Sequence, residues 1–254
     1  MVLKTYLQKR LSEKDILLMT HIVLGYPSFE DCYKIIAEMV RAGVDLMELQ
    51  IPFSEPMADG PVILRANQSA LERGATVQAC LKFSEKIAGN FDIPFLIMSY
   101  YNILFHYGIN DFVRSMAERN LKGAIIPDLP PEEGEEYLNA MQKYALSPIF
   151  IFSPTTSFER MRYLSELAGG FVYCVARKGV TGKQTNFSGE LAKYLVRCRT
   201  ATHLPIAVGF GIKEKAHIDF LKGKADIAVI GSQTIMVVDK DGVASVGKFI
   251  RGLH

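Results

Sequence analysis

Val44-Asp45-Leu46-Met47-Glu48-Leu49-Gln50-Ile51-Pro52-Phe53-Ser54-Glu55-Pro56-Met57-Ala58-Asp59-Gly60-Pro61 is the stretch on which the reading of this chain turns. An apolar run over 44–51 carries Glu48 near its end. A loop stiffened by Pro52, Pro56 and Pro61 then presents a second acid, Asp59, beside Gly60. The run is continuous rather than alternating, as in strands buried on both faces of a parallel sheet. A carboxylate at the end of such a strand is costly unless it is paired, protonated or used. Two carboxylates on one strand-loop unit have the makings of a general acid–base pair.

Working outward, runs of the same kind predict strands over 17–23, 46–51, 94–98, 123–126, 148–152, 171–175, 206–208 and 227–230. Amphipathic helices are predicted between them. The segment 31–42 sets Ile35, Ile36, Met39 and Val40 on one face and ends at Gly43, a helix-capping residue. The segment 110–120 groups Phe112, Val113 and Met116. The segment 131–144 opens with Pro131-Glu132-Glu133, where a missing donor and two acids suit a helix start. Segments 158–167 and 188–199 repeat the theme, the second with Ser188 as its cap. Eight strand-helix units predict an α/β fold, one (β/α)8 TIM barrel over 1–254, with an open doubly wound sheet as the alternative. Tyr6, Leu7 and Leu11 predict an extra N-terminal helix over the barrel floor. Nothing resembling a linker divides the chain, so one domain is expected.

Composition removes several classes. Of 254 residues, 49% are hydrophobic, enough for a large core. A net charge of +2 with acids and bases interspersed argues against a nucleic-acid or membrane surface. No apolar run approaches the ~20 residues of a membrane span, and no signal peptide is visible at the start. Cys32, Cys80, Cys174 and Cys198 are scattered, which reads as reduced thiols of a cytoplasmic protein. His21, His106, His203, His217 and His254 lack metal-ligand spacing, so no metal is expected. His21 and His106 read as structural or surface residues.

In a barrel, chemistry sits where strands end. Glu48 and Asp59 fall there, as does Tyr173. The glycine-rich, polar segment after Tyr173, with Arg177, Thr181 and Gly182, reads as a mobile lid. Gly209-Phe210-Gly211 and Gly231-Ser232 end the last two strands, where glycines and a helix N-terminus make a phosphate grip. Taken singly, each signal has an ordinary explanation. Asp59 suits a turn, Tyr173 a core position, and a strand-end glycine a bend. The pairing of Glu48 with Asp59, and the two glycine sites on adjacent strand ends, outweigh those readings.

The motif Glu48-Leu49-x-Ile51-Pro52-Phe53-Ser54-x-Pro56-x-Ala58-Asp59-Gly60-Pro61 resembles the signature of the tryptophan synthase α subunit family. Tyr100-Tyr101-Asn102, Pro127-Asp128-Leu129-Pro130, Tyr173, Arg177-x-Gly179-Val180-Thr181-Gly182, Gly209-Phe210-Gly211 and Gly231-Ser232 follow in the family's order. The resemblance spans essentially the whole chain. It implies retro-aldol cleavage of indole-3-glycerol phosphate to indole and glyceraldehyde 3-phosphate. It implies that Glu48 moves protons, that Asp59 accepts the indole N–H, and that Tyr173 supports the site. Gly182, Gly211, Gly231 and Ser232 would hold the phosphate, and Phe210 and Ile151 would wall the indole ring. Arg177 and Thr181 would belong to the lid, Thr181 bonding Asp59 on closure. No cofactor is implied in this chain. A β subunit carrying pyridoxal phosphate would dock on a rim containing Pro52, Glu55, Pro56, Asn102, Asp128 and Pro130, in an α2β2 assembly, and receive the indole.

Three residues depart from the family pattern. Gln50 stands where glycine is usual, Glu55 where aspartate is usual, and Tyr26 where a small acidic turn residue is usual. Strand alternation points Gln50 to the same side as Glu48, so it is expected to hydrogen-bond or crowd that acid. Two other readings stand beside the enzyme. One is an α-like subunit with impaired chemistry that activates a β subunit. The other is a different phosphate-binding barrel, an isomerase or aldolase, which fold alone does not exclude; of these a lysine aldolase is disfavoured because no strand-end lysine suits a Schiff base.

Overall fold

In the computed structural model, residues 2–175, 189–209 and 211–254 are described. Their strands are β1 (Leu17–Val23), β2 (Leu46–Gln50), β3 (Phe95–Met98), β4 (Gly123–Ile125), β5 (Ser147–Ile149), β6 (Ile151–Phe152), β7 (Val172–Val175), β8 (Ile206–Gly209) and β9 (Ile227–Ile230). Neighbouring strands pair in parallel, in the order β5-β4-β3-β2-β1-β9-β8-β7-β6. The two ends of that order are one stretch of chain. β5 pairs with β4, β6 pairs with β7, and between them Phe150 accepts a hydrogen bond from the Tyr173 N–H at 2.9 Å. The strand predicted over 148–152 is therefore one stave that changes partner at Phe150, and there the sheet closes into an eight-staved (β/α)8 barrel. The open-sheet alternative is excluded by this closure.

Strand alternation separates two apolar layers. Leu17, Met19, Leu46, Leu96, Met98, Ile125, Ile149, Phe171, Ala207, Ile227 and Val229 pack inside the barrel. Leu18, Ile22, Met47, Leu49, Ile97, Ala124, Cys174, Val208, Ala228 and Ile230 face the surrounding helices. With both faces largely apolar, most of the strands read in sequence as continuous hydrophobic runs.

The outer layer is α2 (Phe29–Arg41), α3 (Pro61–Glu72), α4 (Val77–Asn90), α5 (Tyr101–Tyr107), α6 (Ile109–Glu118), α7 (Glu135–Lys143), α8 (Phe158–Leu167), α9 (Gly189–Ala201), α10 (Lys215–Leu221), α11 (Ser232–Asp241) and α12 (Ser245–Arg251). Ser28 caps α2 by accepting from the Asp31 N–H, and Ser157 caps α8 by accepting from Arg160. The helix predicted over 131–144 is two elements, a 3₁₀ turn over Pro131–Glu133 and then α7. Gly134 between them sits at φ −103°, ψ 16°, outside the helical basin. Helices α3, α4, α5, α10, α11 and α12 add to those expected from sequence. The proposed Ser188 cap lies outside the described residues.

The extra N-terminal helix is α1 (Leu3–Leu11), with Leu3 and Leu7 buried in the inner core cluster. An acid that strand patterning passes over fastens it. Asp45, at the start of β2, is buried and meets Arg10 at 2.7 Å and Lys14 at 2.8 Å, while its second oxygen accepts from the Leu18 N–H at 2.9 Å. The Tyr6 hydroxyl donates to the Asp45 carbonyl at 2.7 Å. With α1 plugging the floor, the opposite end, where the strands finish, is left for chemistry. No helix among the described residues is long and apolar enough to cross a membrane.

Candidate active site

Glu48 and Gln50 follow Leu46 in the inward phase of β2, and His21 follows Met19 in that of β1. The register sets His21 beside Glu48. Tyr173 arrives from β7, and Tyr100 from the end of β3. The loop after β2 folds Asp59 back over this cluster. The Gln50 amide donates to Asp59 Oδ2 at 2.6 Å, and the Tyr100 hydroxyl bonds the same carboxyl. That hydroxyl also accepts from the Ala58 N–H at 3.1 Å, and the Tyr100 ring stacks on Phe53 with centroids 5.2 Å apart. Buried Asn67 of α3 anchors the start of the loop, its Oδ1 accepting from the Phe53 N–H at 2.9 Å.

The electrostatics separate the two acids. Glu48 is almost fully buried, and among the described residues its Oε2 has no hydrogen-bond partner. Burial, with Asp59 as a neighbouring negative charge, pushes its pKa up to about 8. Burial also pushes Asp59 up, to about 6, but the hydrogen bonds from Gln50 and Tyr100 hold it below Glu48. The Tyr173 phenol is raised well above its usual value by burial and by both acids, so it stays protonated. Near neutral pH the site therefore holds a protonated acid, an ionised acid and a phenol. Environments that drive a pair of carboxyl pKa values apart assign one group as proton donor and the other as charge stabiliser.

The remaining predicted positions fall around this centre. Gly231 precedes α11 and Ser232 opens it. A β-carbon added at Gly231 would lie 3.8 Å from the His21 β-carbon, which sets the helix start against the cluster. Gly211 has φ +65° and open space around its Cα, a conformation that favours glycine. Ile151 packs half-buried against the inner core cluster. On the rim, Glu55, Asn102, Asp128 and Pro130 are exposed, whereas Pro52 and Pro56 are buried and shape the loop rather than its surface. The Asp128 carboxylate accepts from the Tyr101 N–H at 2.9 Å and so tethers the start of α5. Arg177, Thr181, Gly182 and Phe210 lie outside the described residues. Among the described residues, no group of three His, Cys, Asp or Glu side chains is disposed to hold a metal.

One expectation needs correction. Gln50 does not partner Glu48. Its amide is taken by Asp59 and, at 3.4 Å, by Asn67, and its carbonyl oxygen lies 2.6 Å from His21 Nε2. Of the two readings of His21, structural or surface, the structural one holds: it is buried, beside Glu48 in register and bonded to Gln50. The signal available was phase: His21 and Gln50 occupy inward positions near the ends of neighbouring strands. Tyr26 lies away from the acids, its hydroxyl donating at 2.5 Å to Asp239, which also pairs with Arg65.

Comparison with known proteins places the chain in a family. The model of the family described as tryptophan synthase alpha chain matches residues 7–248. The tryptophan synthase alpha chain of Desulforapulum autotrophicum is 64% identical over 252 residues, covering 99% of this chain and 100% of that one. That of Syntrophotalea carbinolica is 58% identical over 253 residues, covering 100% of both. Among solved structures, Mycobacterium tuberculosis tryptophan synthase superposes with a TM-score of 0.91 at 28% identity, covering 99% of this chain and 96% of that one. The chain belongs to the tryptophan synthase α chain family and is a lyase that cleaves indole-3-glycerol phosphate.

Proposed function

We propose that Glu48, Asp59 and Tyr173 carry out this cleavage within one barrel domain spanning 1–254. Glu48 begins protonated and gives its proton to indole C3. Asp59, ionised, accepts the indole N–H and stabilises the positive charge that develops on the ring. The Glu48 carboxylate then takes the proton of the hydroxyl on the carbon attached to C3. The bond between that carbon and C3 breaks, its electrons return to the indole ring, and an aldehyde forms. Glu48 ends protonated, so one carboxyl serves both transfers without exchanging a proton with solvent. Tyr173 braces the site through its hydroxyl. The phosphate is held by backbone donors at Gly211, Gly231 and Ser232, and Ile151 walls the ring. Gly182, Phe210, Arg177 and Thr181 enter this reading through the family resemblance alone.

The observation that carries the assignment is the buried Glu48, its Oε2 unpartnered among the described residues, raised to about 8 beside a more acidic Asp59. The test is indole release by Glu48→Gln, which keeps the shape and removes the proton. A loss of about a thousandfold or more in kcat, with affinity for glycerol 3-phosphate unchanged, is expected of a group acting in the transition state. Near-normal turnover would remove Glu48 from the mechanism.

We further propose that the rim of Glu55, Asn102, Asp128 and Pro130 docks a pyridoxal-phosphate β subunit in an α2β2 assembly, and that the reaction is cytoplasmic. Four unbridged, buried cysteines support a reducing compartment. The loop bearing Glu55 also bears Asp59, so docking on one bears on the position of the other, and coupling between the two ligands is reciprocal. Titration with the β subunit is expected to raise indole-glycerol-phosphate cleavage by about tenfold or more, at the concentrations where ultracentrifugation detects association. Full activity in isolation, with no association at micromolar concentration, would make this chain a stand-alone lyase.

A further inference from the structure

Asp59 is held from within the barrel by a hydrogen-bond chain whose direction is forced. A carboxylate only accepts, so the Gln50 group 2.6 Å from Asp59 Oδ2 is the amide NH₂. The Gln50 carbonyl oxygen then faces His21 Nε2 at 2.6 Å, and that nitrogen must carry the ring proton. Burial keeps the imidazole neutral, holding its pKa down to about 4, and among the described residues Nδ1 has no partner. Both side chains are buried, so reversing the amide would set its oxygen against the Asp59 carboxylate and require the imidazole to move its proton to Nδ1, which has no partner among the described residues.

We propose that His21 and Gln50 are positioning residues, a two-link relay that aims the Asp59 carboxylate at the indole N–H of the substrate. The inference rests on the reading of Asp59 as the acceptor of that N–H. Among the described residues, Gln50 and Tyr100 together occupy about half of the roughly four lone-pair sites of the carboxylate, which restrains its rotation and leaves acceptor capacity for the ring. His21 touches neither Asp59 nor substrate in this scheme. Its N–H keeps Gln50 in the one amide orientation that donates to Asp59.

The test is steady-state cleavage of indole-3-glycerol phosphate by the full-length chain with its β subunit present. Asp59→Asn, Gln50→Leu, His21→Phe, His21→Gln and the double variant His21→Phe/Gln50→Leu are compared. Gln50→Leu and His21→Phe are each expected to lower kcat about tenfold to a hundredfold, the scale of one hydrogen bond to a charged group, with KM changed less than about threefold. His21→Gln, which restores an N–H at the reach of Nε2, is expected to recover kcat to within about threefold of the parent. The double variant is expected to lose no more than Gln50→Leu alone, because links in series are not additive. Parent-like kcat in Gln50→Leu and His21→Phe, with Asp59→Asn inactive, overturns the relay and leaves Asp59 in its role. Parent-like kcat in Asp59→Asn overturns the role of Asp59 itself. Additive losses, or no rescue by His21→Gln, overturn the link through His21. Circular dichroism checks folding, and if Gln50→Leu does not fold, the His21→Phe and His21→Gln pair decides.

Discussion

The Tyr173 hydroxyl lies over Gly209: a β-carbon at position 209 would stand 2.7 Å from its oxygen and 2.8 Å from Cε1. The two residues sit on neighbouring strands, β7 and β8, whose register pairs Tyr173 with Ala207 and Val175 with Gly209. The missing side chain on β8 is therefore the space in which the phenol stands, beside Glu48. Gly209→Ala is expected to push the ring aside and lower kcat about tenfold or more, with an overpacking cost of about 1–3 kcal/mol. Assays in a Tyr173→Phe background check the cause. With no hydroxyl to misplace, the alanine should cost less kcat there, while the overpacking against the ring remains.

The two acids set a pH window. Asp59 must be ionised, which it becomes above about 6, and Glu48 must be protonated, which it remains below about 8. A plot of kcat/KM against pH is expected to be bell-shaped with limbs near those two values, which belong to the coupled pair. The substrate phosphate also ionises near pH ~6, so the falling limb is the cleaner assignment. A profile flat through pH 8, the value reached by Glu48, contradicts the protonated starting state.

Glu48 also links stability to pH. The folded chain keeps its proton up to about 8, whereas the unfolded chain releases it near 4.5. The stability from this group is therefore fully present below 4.5 and lost as pH rises through 8. Glu48→Gln has no proton to lose. Its unfolding free energy is expected to overtake that of the parent as pH rises through this window, by up to a few kcal/mol at about 1.4 kcal/mol per pKa unit. Denaturant melts at several pH values measure the difference, and a difference independent of pH would contradict the burial account.

Phosphate binding is tested at Ser232. The residue opens α11, and helix starts favour anions. Ser232→Asp places a fixed negative charge where the phosphate goes, and glycerol 3-phosphate is expected to bind about tenfold or more weakly, roughly 1.4 kcal/mol, by calorimetry. Equal affinity in mutant and parent would place the phosphate elsewhere.

The barrel strands were legible because most are apolar on both faces, and unbroken runs such as 95–98 and 227–230 can be recognised without knowing what they touch. Glu48 and Asp59 were legible for a related reason: an acid stands out in an apolar run, and a proline-bound loop limits where the next one goes. Strand phase even put Gln50 inside. What phase does not determine is which inward side chains meet. His21 lies 29 residues from Gln50, and the two come within bonding distance only because β1 pairs with β2 in one register. The same holds for Asp45, an acid in the same run, which closure of the floor sets against Arg10 and Lys14 rather than against substrate. The protonation states were decided last and by tertiary structure alone. Two carboxyls of nearly equal intrinsic acidity diverge to about 8 and about 6 because packing strips water from both, the charge of Asp59 raises Glu48 further, and Gln50 and Tyr100 donate hydrogen bonds to Asp59. The sequence by itself thus determined the buried parallel strands and which acids stand at their ends, while closure at Phe150 decided for the barrel over an open sheet. Burial and cross-strand hydrogen bonding decided which of them holds a proton.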